Sequence, residues 1–217
     1  NKIYTDLISR LKKTNISLIK PTNLNKSDQK KLLQIFNEEI YPLLTPSAID
    51  PAHPFPFIAN QGRALVMKLK KRNKKRVLNS IIVIPKALPR FIEIERGKNF
   101  IKYVIIDDVI SFFASEIFPD HNLEKKMLFR VIRDSDVEIQ EEAEDLVRSF
   151  ELALKRRRTG DIVRLEILKN SNKELVKFIV NKLKVNQDYI YEIEGLVGIQ
   201  DIDQICKIKT PKLRLKH

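Results

Sequence analysis

With one cysteine, three histidines and five glycines among 217 residues, the chain has little material for several familiar kinds of site. Cys206 has no partner for an internal disulfide, and so few histidines cannot furnish a zinc constellation. His53 lies among prolines and His121 follows Pro119 and Asp120; neither has a neighbouring pattern that would make it a nucleophile. The glycines supply no phosphate-cradling loop, the GLVG of Gly195 to Gly198 being too weak to count as one. No apolar run approaches bilayer-spanning length and no signal peptide is visible in this stretch; the single thiol makes a reducing cytoplasm the expected compartment.

Acidic residues are also in short supply. Against 28 aspartates and glutamates stand 41 lysines and arginines, a formal net charge of +13. The resulting pI near 9.7 implies a polyanionic partner. Lys68, Lys70, Lys71, Arg72, Lys74, Lys75 and Arg76 crowd the turn of an expected hairpin, Lys155 to Arg158 end an expected helix, and five more cations from Lys207 to Lys216 close the chain. Hairpin tips and helix ends are ordinarily solvated, so the summed excess carries more meaning than any one cluster. Nucleic acid is the rival partner, since a basic hairpin alone would permit it. RNA platforms interleave stacking aromatics with cations, however, and Leu69 to Arg76 contains no aromatic residue.

Five of the ten prolines fall between Tyr41 and Asn60. Each fixes its own φ, removes a donor and pushes its predecessor toward extended geometry, so this stretch is a stiff connector that admits neither helix nor central strand. Phe55 and Phe57 alternate with its prolines and are expected to dock on a core. Elsewhere, apolar spacing predicts helices over 2–14, 27–40, 107–117, 138–157 and 171–184 and a short one near 201–206. In the second, Ser27 is the expected N-cap; in the third, Asp107 and Asp108 are expected to cap. Strands are predicted near 63–70, 78–84, 90–95, 100–106, 127–133, 162–168 and 188–193. This order implies an α+β fold: a short helical N-terminal segment, then a domain with one mixed or antiparallel sheet and helices packed on one face. At 43% hydrophobic residues such a domain buries a substantial core, and Phe112, Phe113 and Phe118 serve either that core or a partner surface.

Asp50 to Asn60, DPAHPFPFIAN, resembles the signature that opens the middle, or head, domain of the ATP-dependent polyphosphate kinases. Later blocks follow in that family's order: LFRVIRDSD from Leu128, EEAEDL from Glu141, GDIVRLEI from Gly160 and GLVGIQDI from Gly195. One departure is Ile132, where the family pattern has threonine; the hydroxyl is lost, but a β-branched residue still suits a strand. The resemblance implies a piece of a longer enzyme that moves the terminal phosphoryl group of ATP reversibly onto inorganic polyphosphate through a phosphohistidine. Residues 1–41 would then end the N-terminal helical domain and 42–217 form the head domain, with the catalytic domains lying outside this chain. ATP, ADP and Mg2+ would be bound by those other domains and by none of these residues. The family's head domains imply a homodimer or dimer-based oligomer and a share in tunnel architecture, and peripheral membrane association of the complete enzyme is compatible with this.

Strand arginines are the candidate polyphosphate contacts. In a regular strand Arg130 and Arg133 point to opposite sides, and in the strand from Ile162 the charged Arg164 and Glu166 oppose Val163, Leu165 and Ile167. Arg130, Arg133 and Arg164, joined by Arg158 at the end of the expected helix, are the expected set, because guanidinium forks match phosphate oxygens. The competing assignment pairs Arg130 or Arg133 internally with Asp134, Asp136 or Glu166.

Overall fold

The computed structural model describes residues 2–50, 54–72, 76–98, 100–134 and 160–206, which fold around two sheets. In the larger, β3 (Arg63–Lys71) and β4 (Val77–Ile84) form a hairpin, flanked by β7 (His121–Arg133) and β8 (Ile162–Leu168) on one side. Short edge strands complete the order β2-β4-β3-β7-β8-β9, with β2 at Ser47–Ile49 and β9 at Ile190–Ile193. Only the β8–β9 pairing is parallel; the rest of this sheet is antiparallel. A three-residue edge strand is all that the proline-rich connector allows, since prolines cannot donate to a ladder.

The smaller sheet joins β1 (Ile16–Leu18), β6 (Ile101–Ile105) and β5 (Phe91–Arg96). Here the single expected sheet divides in two. Asn15, in the left-handed region at φ 62°, ends α1 (Lys2–Lys13) and turns the chain so that β1 runs parallel to β6. That pairing sets β1 on the open edge of the β5–β6 hairpin, in a sheet of its own.

The α+β class is as expected, but helices occupy both faces of the larger sheet rather than one. Leu65, Met67 and Leu69 of β3 face a cluster with α2 (Lys26–Ile35), α3 (Ile106–Phe112) and α4 (Ala114–Ile117). Ala64 and Val66 face another built on Leu175 and Ile179 of α5 (Lys173–Leu183). Because successive strand residues alternate faces, a strand covered on both sides must be apolar almost throughout, as ALVM at Ala64 to Met67 is. The first core runs across residue 41: Leu32, Phe36 and Ile40 pack with Leu65, Ile82 and Val104. Phe113 is buried there, with Phe112 and Phe118 packed alongside, so these rings serve the core.

Several local expectations shift. Asn25, not Ser27, caps α2, its side chain accepting from the Asp28 amide at 2.8 Å. The helix expected over 107–117 breaks at Phe113, whose ψ of 25° leaves the helical range. Phe55 packs on the α5 side of the core, whereas Phe57 is 54% exposed. The helix expected over 138–157 lies outside the described residues.

Candidate functional site

Strand register creates a charged line on the larger sheet. Arg63 stands opposite Arg130, Arg130 opposite Glu166, and Glu166 opposite Tyr191, so four side chains cross β3, β7, β8 and β9 on one face. Two arginines placed opposite each other repel. Each therefore has its own carboxylate. The Arg130 Nη1 donates to Glu166 Oε2 at 3.1 Å, and Arg164 Nε, on the same face of β8, donates to the other oxygen at 2.9 Å. The Arg164 guanidinium also lies 4.2 Å over the Tyr191 ring.

Arg63 is held by Asp107 of α3 and, at 3.4 Å, by Asp201 in the single turn Ile199–Ile202. Arg90 closes the square: its Nη2 sits 2.6 Å from Asp107 Oδ2 and its Nη1 2.9 Å from Asp201 Oδ2. Nη2 also donates to the Val197 carbonyl at 3.0 Å, and the residue is only 2–3% exposed. Burial pushes the Asp107 carboxyl above its ordinary range, with the Arg90 and Arg63 guanidiniums opposing the shift. Burial likewise lowers the Arg90 guanidinium, which Asp107 counteracts; starting so far above neutrality, it keeps its proton. Gly198, at φ 70°, closes the loop over this seam: a Cβ there would stand 3.1 Å from Arg130 Cδ.

Of the expected site residues, Arg130 and Arg164 are brought together on Glu166. Arg130 is 4% exposed and committed to that carboxylate; Arg164 is 38% exposed, and its terminal nitrogens make no hydrogen bond among the described residues. Arg133 stays apart from both, although the β7–β8 register slips between Ile132 and Arg133. Its Nε and Nη1 donate at 2.8 Å to the carbonyls of Ile58 and Gly160, and its guanidinium lies 4.8 Å from the Phe57 ring centroid. That contact accounts for the exposed phenylalanine. Arg158 lies outside the described residues.

Asp107 does not cap α3 as expected; the cap position is Ile105, and the carboxylate serves two arginines instead. Arg63, Arg90 and Asp201 were not singled out by sequence. The signal available was a charge at the head of each of two apolar runs, RALVM and RFIEI, where burial demands a counterion. In the assembled site Arg63, Arg90 and Arg130 are tied to carboxylates away from solvent and Arg164 alone of the four presents its guanidinium outward; carboxylates so committed are a donor set unsuited to Mg2+. Among the described residues no three His, Cys, Asp or Glu side chains gather where they could hold a metal. No helix among them is long and apolar enough to cross a membrane.

Residues 27–205 match the polyphosphate kinase middle domain family. The polyphosphate kinase of Erythrobacter litoralis is 38% identical over 212 residues, covering 98% of this chain and 29% of the relative. That of Prosthecochloris aestuarii is 31% identical over 218 residues, covering 97% of this chain and 31% of the relative. The chain thus spans about three-tenths of the length of these relatives. A crystal structure of polyphosphate kinase from Porphyromonas gingivalis shares the fold over 99% of this chain and 31% of its own, with a TM-score of 0.78 at 20% identity.

Proposed function

Because the chain belongs to the polyphosphate kinase family, we propose that it is the head-domain part of an enzyme that reversibly transfers the terminal phosphate of ATP to inorganic polyphosphate. The observation that carries this reading is the continuity of the likeness from one end of the chain to the other. In that scheme residues 1–41 end the preceding helical domain and residues 42–217 form the head. β1 and α2 make the packed joint between them.

The part supplies architecture and charge, not the phosphorylated histidine. Arg164 offers outward guanidinium nitrogens to passing phosphates, Arg133 contributes from the other side of β7, and Arg158 is a further candidate. Arg130, spent on Glu166, is a positioning residue for Arg164. ATP with Mg2+ binds in the other domains of the complete enzyme. Dimerisation through the head domain, a cytoplasmic location and peripheral membrane contact of the whole enzyme belong to the same reading.

An assay of ATP-to-polyphosphate transfer with this chain beside the complete enzyme tests it: turnover is expected only from the latter, and turnover by the chain alone would overturn the assignment. In the complete enzyme, R133A/R164A is expected to raise KM for polyphosphate with little change in kcat, an effect that shrinks at high salt. An unchanged KM at moderate salt would remove the arginines from the path. Light scattering that finds a strict monomer at high concentration would assign dimerisation to other domains.

A further inference from the structure

Two cavities open beside the charged line. One, of about 590 Å³, lies against α1 and takes in Lys12 and Lys20; the other, of about 410 Å³, takes in Lys125, Lys126 and Lys169. Both are walled by Asp107, Asp108, Leu128 and Leu168, so they adjoin as one groove. Leu128 and Lys126 alternate with Met127 along β7 and share the face that carries Arg130.

Charge in this groove is unbalanced. Asp107 is committed to Arg63 and Arg90, which leaves Asp108 as the free carboxylate in a lining that holds five lysines, two of them paired with glutamates outside it. Lys125 is held by Glu174 at 2.7 Å and Lys169 by Glu194. The ammonium groups of Lys12, Lys20 and Lys126 make no hydrogen bond or ion pair among the described residues. Partial desolvation lowers the Lys126 ammonium; Asp108 counteracts this and Lys20 adds to it, so two like charges stand near each other with too little anion between them. A phosphate relieves that repulsion, and the joined cavities have room for several phosphate units.

We propose that this groove binds a linear chain of condensed phosphate, with Lys12, Lys20 and Lys126 as its principal contacts and Asp108 limiting its affinity. The identity of the anion rests on the polyphosphate kinase reading; the preference for a chain over a single phosphate rests on the groove. Each lysine acts as a point charge, which suits an anion that slides more than a fixed fork would.

Calorimetric titration of the full chain with tripolyphosphate, orthophosphate and ATP tests the proposal. Tripolyphosphate is expected to bind roughly 10-fold or more tighter than orthophosphate, weakening steeply as salt rises. K20A/K126A should weaken tripolyphosphate on the order of 10- to 100-fold at low salt, and D108N should tighten it by about 3-fold, a gain that a merely structural role would not produce. ATP binding with the same dependence on Lys20 and Lys126 supports recognition of the phosphate chain itself. ATP binding far more tightly than tripolyphosphate would overturn it, because a base pocket would then carry the affinity. If R133A/R164A abolishes tripolyphosphate binding while K20A/K126A leaves it intact, the groove is wrong and the proposed function stands. If binding is insensitive to salt and to both pairs, both readings fall.

Discussion

Replacing Arg90 by methionine keeps much of the side chain's bulk but strips the cation from between Asp107 and Asp201. Removing one partner of a buried ion pair costs about 3–5 kcal/mol, because the remaining charge is left uncompensated. The structure places this case at the lower end. Asp107 retains Arg63, and Asp201, one-third exposed at 33%, can turn to water. About 3 kcal/mol is therefore expected, including the lost donor to the Val197 carbonyl. With a urea slope of roughly 2–3 kcal/mol/M, the unfolding midpoint should fall by about 1 M. In a cycle with D107N the two changes should couple by about 2 kcal/mol, since the amide no longer needs the guanidinium. The sign with pH also follows. Burial raises the Asp107 carboxyl, so the fold favours its neutral form and any stability tied to that form is lost as pH rises through the shifted value. The deficit of R90M should accordingly be largest near neutrality and shrink on acidification. A deficit below about 0.5 kcal/mol, strict additivity with D107N, or a deficit that grows as pH falls would refute this account of the network.

Other consequences can be checked more quickly. Lys125 and Lys68 hold the Glu174 carboxyl down to about 2, so the stability it contributes is full above the ordinary value of 4.5 and disappears as pH falls toward 2; an NMR titration midpoint at the ordinary value would contradict the two ion pairs. Gly195 sits at φ 98° with the Tyr4 ring 2.6 Å from where a Cβ would stand, so G195A should cost about 1–3 kcal/mol in thermal unfolding and loosen α1 toward proteolysis. Gln204, in the short α6 (Asp203–Cys206), accepts from the Arg90 and Phe91 amides at 2.8 and 3.1 Å and donates to the Phe91 carbonyl at 2.8 Å. Q204A is expected to destabilise by about 1–3 kcal/mol and to speed hydrogen exchange at those two amides; unchanged exchange would mean water replaces the side chain without loss.

Much of the fold was legible because the signals were local. β8 was placed by β-branched alternation alone, and α5 by apolar spacing after Asn172, whose side chain accepts from the Leu175 amide at 3.3 Å. β1 and β2 were not legible, since a three-residue strand has too few residues to show a period and is fixed by its partner. The place of β1 beside β6 follows a turn at Asn15, and which hairpins share a sheet is a matter of pairing between distant strands that local patterns do not display. At the candidate site, alternation correctly set Arg164 and Glu166 on the face opposite Leu165 and Ile167. The partners of Arg63 and Arg90 were out of reach because Asp107 and Asp201 are distant in sequence, and the local pattern of Asp107 at a helix start favoured a cap. Adjacent charges were thus easy to count and hard to pair.

The most direct measurement is an NMR map of the full chain titrated with tripolyphosphate. If phosphate is handled on the charged face of the larger sheet, resonances of Lys20, Lys126 and Arg164 shift first and in proportion to one another. Shifts confined to the basic hairpin from Lys68 to Arg76, with that face silent, would contradict it.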